Sequence, residues 1–101
     1  MKEMSMSSYH IRLIAEGKKC TTIRSLSYAG KFKKDEIVKL RGSNIFVRIL
    51  DIREIALKDI DENIVKSEGY ESRERLLKVL KWFLKNIDEN RKLALITFQK
   101  I

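Results

Sequence analysis

Apolar positions recur at helical spacing in two segments of the chain. Residues 5 to 16 place Tyr9, Leu13 and Ile14 near one face, and Gly17 directly after them is a common helix stop. Three serines can cap this segment: Ser5, Ser7 and Ser8. The spacing therefore predicts an amphipathic first helix.

A longer helical stripe follows Ser72, which can cap it. The stripe consists of Leu76, Leu80, Phe83 and Ile87, and it is widened by Leu77 and Leu84. Trp82 falls beside the stripe and is expected to cover the edge of the core. We expect this helix, the longest in the chain, to be the main scaffold of the fold.

Strand patterns occupy the region between these helices. The β-branched segment 21 to 24 predicts a short strand, and the polar stretch 25 to 34 predicts an exposed loop. Residues 36 to 40 and 44 to 52 predict two strands that a turn at Arg41-Gly42-Ser43 joins as a hairpin.

The remaining elements are a short helix and a last strand. Asp61 can cap the short helix, which is expected to end at Glu68-Gly69, and residues 93 to 99 predict the strand. This order of elements predicts an α+β fold with a small mixed or antiparallel sheet. Because the strand over 44 to 52 carries apolar groups on both faces, we expect the sheet to curl into a barrel. A chain of 101 residues is long enough for a single domain, over 1–101.

Composition narrows the classes of function. The longest apolar run, Leu93 to Ile96, is far below the roughly 20 residues that cross a bilayer, and no signal-peptide core is present, so we expect a cytoplasmic protein. The single cysteine, Cys20, excludes an internal disulfide, and with the single His10 it leaves too few ligands for a zinc site. We therefore expect no metal and no cofactor; the oligomeric state stays open.

Positive charge is concentrated in one part of the chain. The formal net charge is +8, and residues 17 to 50 hold nine lysines and arginines against two acidic residues. Such a concentration favours a polyanionic partner such as RNA, because phosphate contacts by lysine and arginine release counterions. Five candidate nucleic-acid contacts lie here: Lys31, Lys33, Lys34, Arg41 and Arg48. The alternative is a solvated basic surface that maintains solubility.

The segment Gly17-Lys18-Lys19-Cys20-Thr21-Thr22-Ile23-Arg24 is the main candidate site. A lysine near hydroxyl groups can serve as the base for a threonine nucleophile, here Lys19 for Thr22, if a neighbouring cation or burial lowers its pKa. Because a regular strand would direct these two side chains to opposite faces, their convergence requires a bend around Cys20. The alternative is a surface lysine before an ordinary strand.

Two further side chains could belong to such a site. Glu68 is predicted at the unfavourable carboxyl end of a helix, where either a cation such as Lys19 or Arg24, or exposure to solvent, would offset its charge. His10 could in principle pair with Cys20 in a cysteine hydrolase, but this is the least favoured interpretation.

The candidate segment and a second segment after it resemble the ASCH domain, a family related to the PUA RNA-binding domains. The second segment is Lys31-Phe32-Lys33-Lys34-Asp35-Glu36-Ile37-Val38-Lys39-Leu40. The resemblance extends over nearly the whole chain, including Glu68-Gly69-Tyr70 and the strand Leu95-Ile96-Thr97-Phe98. It implies a PUA-like small β-barrel flanked by helices, with a cleft for RNA or a nucleoside. The residues expected to contact that ligand are Gly17, Lys18, Cys20, Thr21 and Arg24.

Within this superfamily the chain is similar to small amidohydrolases that remove the acetyl group from N4-acetylcytidine. The resemblance implies catalytic roles for Lys19 as base, Thr22 as nucleophile and Glu68 as proton carrier or orienting group. The chain departs from many relatives at Asp35, where they have glycine, although aspartate tolerates the left-handed conformation. The alternative function is a non-catalytic RNA-binding module in RNA metabolism or in the regulation of transcription or translation.

Overall fold

The computed structural model describes residues 1–85 and 88–101. In this part of the chain five strands form one sheet, and four helices connect and cover them. The strands are β1 (Glu3–Met4), β2 (Thr21–Arg24), β3 (Ile37–Leu40), β4 (Phe46–Ala56) and β5 (Lys92–Lys100). The helices are α1 (Ser8–Ala15), α2 (Leu26–Ala29), α3 (Glu62–Ser67) and α4 (Arg73–Phe83), with a 3-10 turn at Leu57–Asp59.

The sheet has the strand order β1-β3-β4-β5-β2, with β1 parallel to β3 and the other pairs antiparallel. The predicted α+β class with a mixed sheet is therefore confirmed. The sheet is open, with the two-residue β1 and the four-residue β2 as its edges, so the prediction of a closed barrel is not confirmed. The strand β1 was not predicted, because two residues are too few to show a periodic pattern.

A β-bulge in β4 explains why this strand is apolar on both faces. Ile49 pairs with Phe98 and Asp51 with Thr97, which leaves Leu50 as an extra residue without a partner in the ladder. The insertion reverses which face each later side chain occupies. Before the bulge Ile49 packs into one core cluster, and after it Ile55 packs into the other, on the opposite face.

The helix caps agree with the sequence. Ser7, Asp61 and Ser72 each accept a hydrogen bond from a backbone N–H in the first turn of α1, α3 and α4. Asp35 has a φ of 70°, so it adopts the left-handed conformation expected for an aspartate in place of glycine.

The polar stretch 25 to 34 was predicted as an exposed loop, and this prediction is correct only in part, because six of its ten residues are exposed but residues 26 to 29 form α2. Ser25 caps α2 by accepting a hydrogen bond from Tyr28 N, and the segment buries Ala29 and Phe32 in the core. The local signals were weak because α2 has only four residues and its neighbours are polar.

The predicted stripe of α4 is correct for its first two turns only. Leu76 and Leu80 are buried, whereas Phe83 is 71% exposed and Trp82, expected at the core edge, is 87% exposed. Both side chains lie in the last turn of the helix, which ends at Phe83, and neither belongs to a core cluster. Ile87 lies outside the described residues. The sheet, rather than α4, is the scaffold of the fold.

No helix among residues 1–85 and 88–101 has the length and apolar character needed to cross a membrane.

Candidate functional site

The candidate segment enters the site through a sharp turn after α1. Gly17 has a φ of 76°, and the amides of Gly17 and Lys18 donate to the carbonyls of Ile14 and Leu13, which closes the end of the helix. The amide of Cys20 then donates to Ser67 O at 2.8 Å, before β2 begins. Residues 18 to 20 are therefore not strand, so the bend that the convergence of Lys19 and Thr22 requires is present. Lys19 Nζ bonds Glu68 and Thr22 Oγ1 bonds Arg24, and no hydrogen bond joins Lys19 to Thr22 among the described residues.

Gly69 allows the end of α3 to lie directly against this segment. Its φ is 85°, and a Cβ there would lie 3.0 Å from Leu13 Cδ1 and 3.2 Å from Lys18 O. Contacts of this kind leave no room for a side chain. The close approach brings Glu68, the residue before the glycine, beside Lys19.

Lys19 and Glu68 form a buried ion pair. The residues are 4% and 3% exposed, and Lys19 Nζ lies 3.3 Å from Glu68 Oε1. Thr21 donates a hydrogen bond to the other carboxylate oxygen, Oε2, at 2.5 Å. Burial lowers the pKa of Lys19 and raises the pKa of Glu68, while the charge of each partner acts in the opposite direction.

Thr22 contacts a different cation from Thr21. Its Oγ1 accepts a hydrogen bond from Arg24 Nε at 3.0 Å. The Arg24 guanidinium also donates to the hydroxyl and the carbonyl oxygen of Ser5 and lies over the ring of Tyr28, 5.0 Å from its centroid. Arg24 therefore connects β2 to the chain just after β1, which are the two edges of the open sheet.

Four of the predicted site residues line one cavity of about 490 Å³: Lys19, Thr22, Arg24 and Glu68. Their polar groups occupy one side of it. The other side is an apolar wall from α4 and its end, formed by Leu76, Val79, Leu80, Phe83 and Leu84. An apolar wall together with a few convergent polar groups is typical of small-molecule sites.

His10 and Tyr70 form a second polar group in the cavity wall. His10 Nε2 lies 2.7 Å from the Tyr70 hydroxyl, and His10 Nδ1 lies 3.1 Å from Ser7 Oγ. Burial, together with the nearby charges of Lys19 and Arg24, lowers the pKa of His10 from 6.5 to about 4. Burial and the charge of Glu68 raise the pKa of Tyr70 to about 12. Both side chains are therefore neutral at pH 7.

The sequence did not predict Tyr70 or the apolar wall as parts of the site. Their positions depend on how α3 and α4 pack, and no local motif marks them. His10 was considered only as a partner of Cys20, but the Cys20 side chain is exposed and His10 bonds Ser7 and Tyr70.

The other predicted ligand contacts lie outside the cavity lining. Gly17, Lys18 and Cys20 are exposed, and Thr21 is buried with its hydroxyl on Glu68. The predicted nucleic-acid contacts are all exposed and also lie outside the cavity: Lys31, Lys33, Lys34, Arg41 and Arg48. Lys33 and Lys34 line a separate depression of about 480 Å³. Their roles stay predictions. Within the described part of the chain, no cluster of three or more histidine, cysteine, aspartate or glutamate side chains is arranged to hold a metal ion.

Comparisons with known proteins find similarity in structure alone. No family model and no curated protein matches the sequence. The hypothetical protein PH0355 superposes with a TM-score of 0.83 at 24% identity, over 100% of both chains. An ASCH domain from Lactobacillus crispatus JV V101 gives a TM-score of 0.77 at 13% identity, over 98% of this chain and 79% of that one. Protein PF0455 from Pyrococcus furiosus gives 0.75 at 18% identity, over 99% and 96%. The chain therefore has the fold of an ASCH domain, which confirms the resemblance at the level of the fold.

Proposed function

We propose that the protein is an amidohydrolase that binds an acylated cytidine-type nucleoside in this cavity and removes the acyl group. The observation that carries the proposal is the buried pair of Lys19 and Glu68 in the wall of a cavity that Thr22 also lines. A buried lysine loses its proton more readily than an exposed one, so the lowered pKa of Lys19 favours its action as a base.

In the proposed reaction Lys19 Nζ takes the proton of Thr22 Oγ1, and this oxygen attacks the amide carbonyl carbon of the substrate. The carbon–nitrogen bond then breaks, and the leaving amino group of the cytosine takes its proton from the Lys19 ammonium. The acyl group is left as an ester on Thr22. A water molecule deprotonated by Lys19 then attacks the ester. As the ester carbon–oxygen bond breaks, the Lys19 ammonium returns this proton to Thr22 Oγ1, and the carboxylic acid that is released loses its remaining proton to solvent.

The neighbours of these two residues support the assignment. The Arg24 bond uses a lone pair of Thr22 Oγ1, so the hydroxyl proton stays available for Lys19, and the guanidinium can stabilise negative charge that develops nearby. The Glu68 carboxylate orients Lys19 and stabilises its ammonium form once the proton has moved. The apolar wall from α4 would contact the face of the base.

The chain offers a matched pair of variants for testing this proposal. Thr21 and Thr22 are adjacent and equally buried, but only Thr22 lines the cavity. With N4-acetylcytidine as substrate and chromatography of the released cytidine, we expect Thr22→Val to lower turnover by about a thousandfold. Thr21→Val is expected to keep the nucleophile and measurable turnover.

Equal turnover in the wild type and Thr22→Val would contradict the proposed reaction. Calorimetry with the same nucleoside shows whether each variant still binds it. A wild-type protein that binds the nucleoside but releases no cytidine would instead support the non-catalytic alternative, a binding module.

A further inference from the structure

A groove with exposed aromatic rings lies beside the cavity, between α1 and α4. It has a volume of about 910 Å³ and shares four lining residues with the cavity: His10, Tyr70, Val79 and Phe83. Three of its aromatic side chains are largely exposed, Tyr9 at 51%, Phe83 at 71% and Trp82 at 87%. We call this surface the aromatic groove.

Cations line the aromatic groove between and around these rings. They are Lys18, Lys66, Arg75 and Lys78, against one lining carboxylate, Glu71. Arg75 lies 3.8 Å from Glu71, Lys78 lies 3.9 Å from Glu74 and Lys18 lies 3.2 Å from Glu16, all with well-exposed side chains. Exposed pairs of this kind are weak, so the cations remain able to contact phosphates.

Rings that stack on bases, beside cations that hold the backbone, are the features by which proteins bind single-stranded nucleic acid. A duplex keeps its bases stacked on one another, so the faces of the bases are not available to the aromatic rings. A flat lipid surface would fit a convex patch better than a groove that leads into a cavity. Charge complementarity and shape together therefore favour a single strand as the occupant.

We propose that the aromatic groove binds a single-stranded nucleic acid, with one nucleotide in the cavity and its neighbours stacked along Trp82, Phe83 and Tyr9. This inference rests on the proposed function in one respect, because it assumes that the cavity accepts a nucleoside. It assigns the substrate of that site to a class, a nucleoside within a strand.

Trp82 is a reporter for the groove because it is the single tryptophan of the chain. Titration of the wild-type protein with an oligouridylate of roughly 12 nucleotides, at low salt, should quench its fluorescence saturably. The DNA strand of the same length and a duplex are parallel arms, and we expect the duplex to bind more weakly than either strand.

Variants identify the surface, with anisotropy of a labelled strand as the measurement. Trp82→Ala should weaken binding by about tenfold through lost stacking. Lys66→Glu combined with Lys78→Glu should also weaken it and lower the dependence on salt by about one counterion per lysine. The matched control, Lys58→Glu combined with Lys92→Glu, makes the same charge change on exposed residues outside the groove and should leave the affinity within about twofold.

Several results would overturn the proposal. These are absence of quenching by any strand, equal losses in the groove and control variants, and loss only on neutralising Lys31, Lys33 and Lys34. Quenching by anionic vesicles but not by strands would assign the groove to a lipid surface, and quenching that depends on protein concentration alone would assign it to a second copy.

Two results with the wild-type protein distinguish a wrong assignment of the groove from a wrong assignment of the reaction. Quenching by a strand without cytidine release would leave the groove assignment standing and remove the reaction. Cytidine release from the free nucleoside without quenching would do the reverse.

Discussion

Two adjacent threonines show how much one residue position decides in this site. Thr21 and Thr22 are both 4% exposed, yet the first donates to Glu68 and the second accepts from Arg24. Because successive side chains of a strand point in opposite directions, β2 directs one hydroxyl to the Glu68 carboxylate and the other to Arg24. The hydroxyl on Glu68 helps to keep that carboxylate ionised, since the hydrogen bond lowers its pKa.

The single histidine offers a test of the electrostatics at residue scale. We expect the ring protons of His10 to shift in a nuclear magnetic resonance titration with a midpoint near pH 4, rather than at its ordinary pKa of 6.5. The cause is burial together with the positive charges of Lys19 and Arg24. A midpoint near 6.5 would mean that the cavity is more hydrated, or less positive, than described.

The same shift has a consequence for stability with a definite sign. Between pH 6.5 and about 4 the unfolded chain binds a proton at His10 that the folded chain does not. The contribution of His10 is therefore fully present above pH 6.5 and is lost as the pH falls through this interval. The loss should be on the order of 1 to 2 kcal/mol, because solvent screens the half-exposed ring. Urea unfolding at several pH values gives the measurement. Between pH 6.5 and about 4 the free energy of unfolding should change less with pH in His10→Gln than in the wild type.

At the scale of elements, the approach of α3 to the candidate segment depends on Gly69. Gly17 and Gly69 both have positive φ, 76° and 85°. A Cβ added at Gly17 would meet open space, whereas a Cβ added at Gly69 would contact Leu13 and Lys18. We expect Gly17→Ala to cost about 1 kcal/mol from its backbone conformation alone. Gly69→Ala should cost about 3 kcal/mol, because contacts with neighbouring atoms add to the same conformational cost.

Urea unfolding of the two glycine variants at one pH measures this difference. Gly69→Ala should also lower turnover, since it moves Glu68 relative to Lys19, whereas Gly17→Ala should not. Equal losses of stability would show that the end of α3 adapts to a side chain at no cost.

Element boundaries show which parts of the fold the sequence could predict. Caps such as Asp61 and Ser72 are local signals, because the capping side chain and its partner amide are three residues apart. The end of α4 is not marked by a local signal. The helix stops at Phe83 without a glycine or a proline, so the stripe was extended too far along the sequence. The short helix α2 was missed because Ala29, within it, and Phe32, just after it, gain their packing partners from the sheet.

The bulge in β4 provides a test at the same scale. Deleting Leu50 would let Ile49, Asp51 and Ile52 pair one to one with Phe98, Thr97 and Ile96. Because Ile52 and Ile55 would keep their present faces, we expect the deletion variant to keep a cooperative unfolding transition. The control Leu50→Thr keeps the residue count at a site that is 38% exposed, and should change stability by about 0.5 kcal/mol. Circular dichroism during urea unfolding measures both variants. Loss of the cooperative transition in the deletion variant would mean that the fold needs the bulge itself, and not only the strand pairing on either side of it.

At the scale of the whole molecule, the cavity combines residues that are far apart in the chain. Thr22, Glu68 and Leu80 reach it from β2, the end of α3 and α4. The sequence could nominate Lys19, Thr22 and Glu68 through chemistry and resemblance, since each carries a reactive group near a glycine. It could not predict the apolar wall or the aromatic groove, because a leucine or tryptophan on a helix gives no sign of which surface it will line.

The open sheet gives this cavity its location. Ser5 follows β1, Thr22 and Arg24 belong to β2, and all three line the space between the two edges of the sheet. Had these edges joined as neighbouring strands about 5 Å apart, the ladder would have occupied the room that a ligand needs. The two edges are linked instead by the hydrogen bonds from Arg24 to Ser5, which can break one at a time. The ligand of the proposed function would therefore enter by displacing one side chain, while every strand keeps its pairing.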